Sequence, residues 1–270
     1  MENFKAYLIQ EEKSELTMEK YVRDVARFLE WLGGEALSKE KVLQYKTALT
    51  ERYAVASVNS ILSALNCYFG YLGRHDCRVK ILKKQRQIFL VEEKELSRRE
   101  YTRLIQASRG KPRLSLLMQT ICATGIRVSE HRFITVEAAR TGYAQVRMKG
   151  KCRVVFLPQK LRRILLQYAR ERHIQRGSIF ITASGKPLNR GNIWAEMKKL
   201  CTTAGVSREK VFPHNLRHLF ARIYYSLEHD IVRLADILGH ASVDTTRIYT
   251  MESGKTHQRQ LEQMGLVFGT

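Results

Sequence analysis

The sequence predicts a mainly α-helical chain with a small antiparallel β-sheet, an α+β protein with a helical N-terminal domain and a mixed, mostly helical C-terminal domain. Three observations carry this. Apolar residues recur every three or four positions through most of the chain. One pair of β-rich runs flanks the tripeptide Lys149-Gly150-Lys151. A charged stretch without clear periodicity, residues 77–96, separates the two helical regions and reads as a basic linker. At 270 residues the chain is long enough for a well-buried core in one or two domains.

The elements follow in order. Within residues 1–76, Met18, Tyr21, Val22, Val25, Phe28, Leu29 and Leu32 mark one helical face, with Lys20, Arg23 and Arg27 off it, and Gly33-Gly34 stops the helix. Ser38 is expected to cap a second helix carrying Val42, Tyr45 and Leu49. Ser57 is expected to cap a third, with Val58, Ile61, Leu62, Leu65, Phe69 and Leu72 on one side and Gly73 at its end. In the linker Lys80, Lys83, Lys84 and Arg86 precede Glu92, Glu93, Lys94 and Glu95; it reads as a solvated loop or as a segment crossing a polyanion. The second domain, residues 97–270, opens with Ser97 as a cap and Pro112 in the first turn of the next helix, which holds Leu114, Leu117, Met118, Ile121 and Cys122. Tyr143–Met148 and Arg153–Leu157 form the hairpin. Helices are predicted near 159–174 and 190–203, separated by a short strand at Ile179–Thr182. Further helices are predicted near 213–227, 230–238 and 242–248, with a tail helix from Ser253.

Composition narrows the partners. Lys and Arg number 47 against 26 Asp and Glu, a net charge of +21, which points to a polyanion such as nucleic acid. No apolar run reaches the ~20 residues of a spanning helix, and Met1-Glu2-Asn3 does not open a signal peptide. Five scattered cysteines without a Cys-x-x-Cys pair predict reduced thiols in the cytoplasm, neither a disulfide frame nor a zinc cluster.

The chemistry concentrates near the C-terminus. Tyr249 follows Leu238-Gly239-His240 and Thr245-Thr246-Arg247, and His214-Asn215-Leu216-Arg217-His218 precedes them. A tyrosine has a pKa near 10 and attacks poorly unless neighbours stabilise its phenolate or take its proton. Arg127, after Thr124-Gly125, and Arg217 supply permanent planar cations for phosphate oxygens. His214 and His240 supply groups that donate to phosphate or carry protons, although each also has a plain role as a cap or turn residue. His214 and His218 stand at metal-site spacing, but no glutamate follows His214 and no third ligand presents itself. Lys149 and Lys151, either side of the hairpin glycine, both reach where a leaving oxygen needs a proton.

Taken together, Thr124-Gly125-Ile126-Arg127-Val128-Ser129-Glu130, the Gly150-Lys151 hairpin, His214-x-x-Arg217-His218, Leu238-Gly239-His240 and Tyr249 give a chain that resembles the tyrosine recombinases, or phage-integrase family. The resemblance implies a core-binding domain and a catalytic domain forming a C-shaped clamp on double-stranded DNA. It implies Tyr249 as nucleophile, with Arg127, Arg217, His214 and His240 on the phosphate. Lys151 is implied as general acid (Lys149 is the alternative), Glu130 as an orienting residue and His218 as a supporting one. No metal or other cofactor is implied, whereas a homotetramer on paired sites is. The apolar tail residues Met264, Leu266, Val267 and Phe268 are expected to dock either on a neighbour, as the resemblance implies, or on their own domain. Two departures stand out: a short hairpin with Cys152, and His131-Arg132 after the first arginine motif. The alternatives are a type IB topoisomerase and an inactive DNA-binding regulator on the same scaffold.

Overall fold

Ser14, a glycine with positive φ and a run of apolar residues at helical spacing set the longest helix of the N-terminal region, Glu15–Leu32. The computed structural model describes residues 1–83, 92–148, 150–251 and 254–266; the side chains of Glu92, Lys151, Lys255, Thr256 and Gln260 also lie outside the description. The chain divides into two units, Met1–Gln87 and Ile88–Thr270.

In the first unit the helices are α1 (Glu2–Gln10), α2 (Glu15–Leu32), α3 (Lys39–Arg52) and α4 (Val55–Tyr71). Helix α1 has no counterpart in the periodicity because it offers only Phe4 and Leu8 to the core. Its place is set by aromatic packing, with the Phe4 ring edge-on to Tyr68 at 5.0 Å. The Ser38 hydroxyl accepts from the Lys41 amide at 3.3 Å and caps α3 as expected. Helix α4 starts earlier than expected: Ala54 is its cap, and Ser57 lies inside the first turn. The helix is already under way at Val55, so Ser57 stands past the cap position.

The start of the charged stretch packs on this unit. Cys77 and Val79 are buried in its core. Two asparagines one heptad apart on α4 hold the extended chain beside it. Asn66 donates to the Val79 carbonyl at 2.8 Å and accepts from its amide at 2.9 Å. Asn59 does the same for Leu82, at 2.9 and 2.7 Å. Each amide side chain thus replaces the backbone partner a strand would have supplied.

The second unit is built around α6 (Pro112–Thr124), which contacts α5 (Arg98–Ala107), α8 (Gln159–Glu171), α9 (Arg190–Lys198) and α11 (Pro213–Glu228). Ser97 and Glu100 form the capping box of α5, and Pro112 opens α6. Helix α7 (Val136–Thr141) leads into β1 (Tyr143–Met148), which pairs antiparallel with β2 (Lys151–Phe156) in the register Met148↔Lys151 to Tyr143↔Phe156. These two strands form the one named sheet among the described residues. The strand expected at 179–182 is reduced to isolated bridges, Thr135↔Ser178 and Ile181↔Pro187. Pro187 has no N–H with which to extend a ladder. The predicted 190–203 helix breaks after Lys198 and resumes as α10 (Cys201–Ala204). Helices α12 (Ile231–Leu238), α13 (Val243–Thr246) and α14 (Gly254–Gln263) complete the chain, with a short 3₁₀ turn at Arg247–Tyr249. Among the described residues no helix is long and apolar enough to cross a membrane.

Asn66→Ala strips both partners from the Val79 backbone and should destabilise the first unit by about 1–3 kcal/mol. Urea unfolding together with hydrogen exchange at the Val79 amide measures this; unchanged exchange at that amide would contradict the clamp.

Candidate active site

The site is organised by an arginine that the sequence placed on a helix face and the fold buries. Arg217 is 1% exposed. Its Nη1 donates to the Gly125 carbonyl at 2.6 Å, and its Nη2 to the Leu238 carbonyl at 2.8 Å and to His240 Nε2 at 2.9 Å. Both carbonyls lie at helix C-termini, those of α6 and α12, where orphan acceptors and the negative end of the helix dipole meet the cation. Glycine ends each helix for a reason. Gly125 has φ of +65°, and a Cβ there would meet the Phe220 ring at 2.4 Å. Gly239 has φ of +66°, and a Cβ there would meet Arg153 Cδ at 2.7 Å. Burial, then the nearby Arg127 charge, push the Arg217 pKa down to about 10, leaving it charged at neutral pH.

A second cation pair stands on a buried carboxylate. Glu130 is 1% exposed. It accepts from both terminal nitrogens of Arg153 at 2.8 Å, from Arg127 Nη1 at 3.1 Å and from the Arg127 amide at 2.7 Å. Burial alone would raise its pKa, but the hydrogen bonds from Arg153 and the Arg127 amide hold it below the ordinary value, so it stays ionised. Arg127 also donates to the Gly239 carbonyl at 3.3 Å, and its side chain remains 42% exposed. Arg153 Nε donates to the Ile237 carbonyl at 3.2 Å. The hairpin strand β2, the Arg127 turn and the end of α12 are therefore fastened to one carboxylate.

His240 has a fixed tautomer. Arg217 can only donate, so His240 Nε2 accepts, and Nδ1 carries the proton toward Thr246 Oγ1 at 2.8 Å. Burial first, then Arg217, Arg127 and Arg153, push its pKa down to about 4. Tyr249 is 4% exposed and sits in an apolar cluster with Ala221, Leu234 and Leu238. Its ring stacks near His240, centroids 6.2 Å apart, and meets the His218 ring edge-on at 5.0 Å. Burial raises its pKa against the opposing charge and hydrogen bond of Arg217, so the resting side chain is a phenol.

His214 opens into a cleft of about 550 Å³ lined also by Arg127, Ser129, Arg190, Trp194 and Arg217. Its pKa falls to about 4 through burial against the cleft wall and then through His218, Arg217, Arg127 and Arg190. The exposed ring edge lets water relieve part of the burial penalty, leaving the fixed cations as the cause that persists. His218 Nδ1 lies 3.3 Å from Glu95 Oε1, and its ring is 4.4 Å from His214.

Arg127, Glu130, His214, Arg217, His218, His240 and Tyr249 thus meet in one region of the second unit. Lys151 opens β2, but its side chain and the whole of Lys149 lie outside the described residues, as do Val267 and Phe268 of the tail; Met264 and Leu266 are exposed. Two participants had no motif to announce them, Glu95 and Arg153; Thr246 stood in the Thr245-Thr246-Arg247 run without a role assigned to it. Arg153 had a usable signal, since the strand period of two puts it in phase with buried Val155. The departure at His131 is structural: its ring is buried and Nδ1 bonds the Val128 carbonyl.

The sequence matches the phage integrase family over residues 94–255 and the N-terminal SAM-like domain of phage integrases over residues 1–76. Tyrosine recombinase XerA of Pyrococcus furiosus is 30% identical over 276 aligned residues, spanning 99% of this chain and 94% of that protein. The crystal structure of XerA recombinase superposes with a TM-score of 0.56 at 27% identity, covering 98% of this chain and 97% of that one. A lambda integrase tetramer bound to a Holliday junction shares the fold, with a TM-score of 0.74 at 18% identity over 92% of this chain and 75% of that one.

A neutral His240 has a consequence for stability. The folded ring resists protonation down to about 4, whereas its ordinary value is 6.5. Between those values the unfolded chain binds more protons, so stability should fall as pH drops from about 6.5 toward about 4. Urea midpoints at about pH 7 and about pH 5 read this. His240→Gln should lessen the difference, and an equal pH response in both proteins would refute the neutral assignment.

Proposed function

The chain belongs to the phage integrase family, and from that premise we propose how its residues act in a tyrosine site-specific recombinase. The Tyr249 oxygen attacks the phosphorus of one strand, the P–O5′ bond breaks, and a 3′-phosphotyrosyl link and a free 5′-hydroxyl result. Arg127 and Arg217 hold the non-bridging oxygens and stabilise the charge that develops there. His214 and His240, neutral at rest, accept protons as the phosphate brings negative charge among the cations, and then donate to it. Lys151 protonates the leaving 5′-oxygen, with Lys149 as the alternative. Glu130 orients Arg127, and His218 supports the nucleophile. The covalent link keeps the energy of the broken phosphodiester, so rejoining draws on no nucleotide, and the positive charge comes from side chains without a metal.

One observation carries this reading: the Tyr249 ring lies against His240 and His218, with its phenol beside Arg217, on the same chain. The partner is double-stranded DNA, which the charge of +21 suits. By extension from the lambda integrase tetramer on a Holliday junction, four copies assemble on paired sites in the cytoplasm, with residues 1–76 contributing DNA binding.

DNA ends trapped as an SDS-resistant adduct identify the site, and a nicked duplex carrying it then reports cleavage. Tyr249→Phe should abolish the adduct and keep binding; an undiminished adduct would remove Tyr249 as nucleophile. Arg127→Ala, at a half-exposed position, should slow cleavage by about 10²–10³-fold with binding within about tenfold. Relaxation of arbitrary plasmid without exchange between matched sites would favour the topoisomerase reading.

A site titration at increasing salt should show a log–log slope of several negative units, since phosphate contacts release counterions. A flat response would contradict the basic interface. A bridging 5′-phosphorothiolate, whose sulfur leaves without a proton, should rescue whichever of Lys151→Ala and Lys149→Ala has lost the general acid.

A further inference from the structure

Two arginines and one carboxylate meet beside the cleft, and their charges do not cancel. Glu130 is buried, and its two oxygens accept from the terminal nitrogens of Arg153 at 2.8 Å. The same oxygens accept from Arg127 Nη1 at 3.1 Å and from the Arg127 amide at 2.7 Å. One negative charge therefore stands against two positive ones, and a surplus cation remains. Exposure decides which arginine carries it. Arg127 lines the cleft with a side chain 42% exposed, whereas the Arg153 side chain is 14% exposed and is not among the residues lining that cleft.

Arg153 is built into its position. Cys152 and Val154, its neighbours on β2, are exposed, so the alternation of the strand turns Arg153 inward. Its Nε donates to the Ile237 carbonyl at 3.2 Å, so all three guanidinium nitrogens are engaged by protein. Its stem passes so close to Gly239 that a Cβ there would meet Arg153 Cδ at 2.7 Å. Arg127 donates to the carbonyl of that same glycine at 3.3 Å, which sets the two arginines side by side. Burial opposes ionisation of Glu130, and Arg153, ahead of the Arg127 side chain, is the partner that holds it ionised.

We propose that Arg153 is a positioning residue for phosphate activation: by neutralising Glu130 it leaves the Arg127 charge uncompensated and available to the scissile phosphate. This deepens the recombinase reading and rests on it. Without Arg153, Glu130 and Arg127 form a closed pair of opposite charges. Glu130 still orients Arg127 in that pair, but it also cancels the field that Arg127 exerts on the non-bridging oxygens. A buried carboxylate can thus orient a catalytic cation without weakening it only when a second cation offsets its charge. Arg153 touches no reacting atom and acts through Glu130.

Single-turnover cleavage of a nicked duplex carrying the site recovered from trapped ends tests this. Arg153→Met, which keeps an unbranched stem and removes the charge, should slow cleavage about tenfold, less than the loss of a direct phosphate donor. Two further readouts separate charge from packing. A methylphosphonate at the scissile position is uncharged, so on that substrate the gap between the wild type and Arg153→Met should close. Adding Glu130→Gln to Arg153→Met removes the carboxylate that pairs with Arg127 and leaves no buried charge unmatched. This double variant should cleave the ordinary site faster than Arg153→Met alone. A wild-type rate in Arg153→Met, an equal gap on the methylphosphonate, or a double variant no faster than the single one would overturn the proposal. If the wild-type protein forms no adduct at all, the recombinase reading fails instead.

Discussion

The second unit depends on one buried cation. Arg217 brings the C-termini of α6 and α12 to within a guanidinium of each other, and it does so with protein carbonyls in place of water. Burying such a charge costs several kcal/mol unless its donors are satisfied, and two helix ends with unpaired carbonyls are suited to offset that cost. The consequence reaches the chemistry directly. The same Nη2 that caps α12 donates to His240, so the scaffold and the site share a hydrogen bond. Replacing Arg217 therefore disturbs packing as well as charge, which makes Arg127 the cleaner probe of phosphate binding.

Around this cation the fold sorts charged from neutral groups. The arginines stay cationic, and Glu130 and Glu95 are held ionised by their partners. His240 is kept neutral by burial and by the surrounding positive charge, and His214, which opens to the cleft, chiefly by that charge. Tyr249 is kept a phenol by burial in an apolar cluster. In the proposed mechanism this arrangement is preorganised for an anion: fixed cations first, with proton acceptors that respond to negative charge.

How much of this the residues announced depends on the distance over which each interaction acts. Local signals were readable: Ser97 with Glu100, Pro112 at the start of α6, and the hairpin around Gly150 are each settled within a few residues. Where local signals were weak the reading slipped. Helix α1 shows only two core positions, and Ser57 looked like a cap although the helix begins two residues before it. Among site residues, Arg127, His214, Arg217, His240 and Tyr249 stand in compact motifs next to turns or helix starts. Glu95 and Arg153 do not, because what makes them matter is a partner brought from elsewhere. Glu95 and His218 are 123 residues apart in sequence, and Arg153 and Glu130 are 23 apart.

The sequence by itself determined the chemical inventory: a tyrosine, permanent cations, titratable histidines and a strongly basic chain, with helices whose caps and periods are local properties. Tertiary structure decided the state of each group. Burial, a helix end or a distant carboxylate selects charge and tautomer, and these are fields and contacts summed over the folded chain, which no linear spacing of residues encodes.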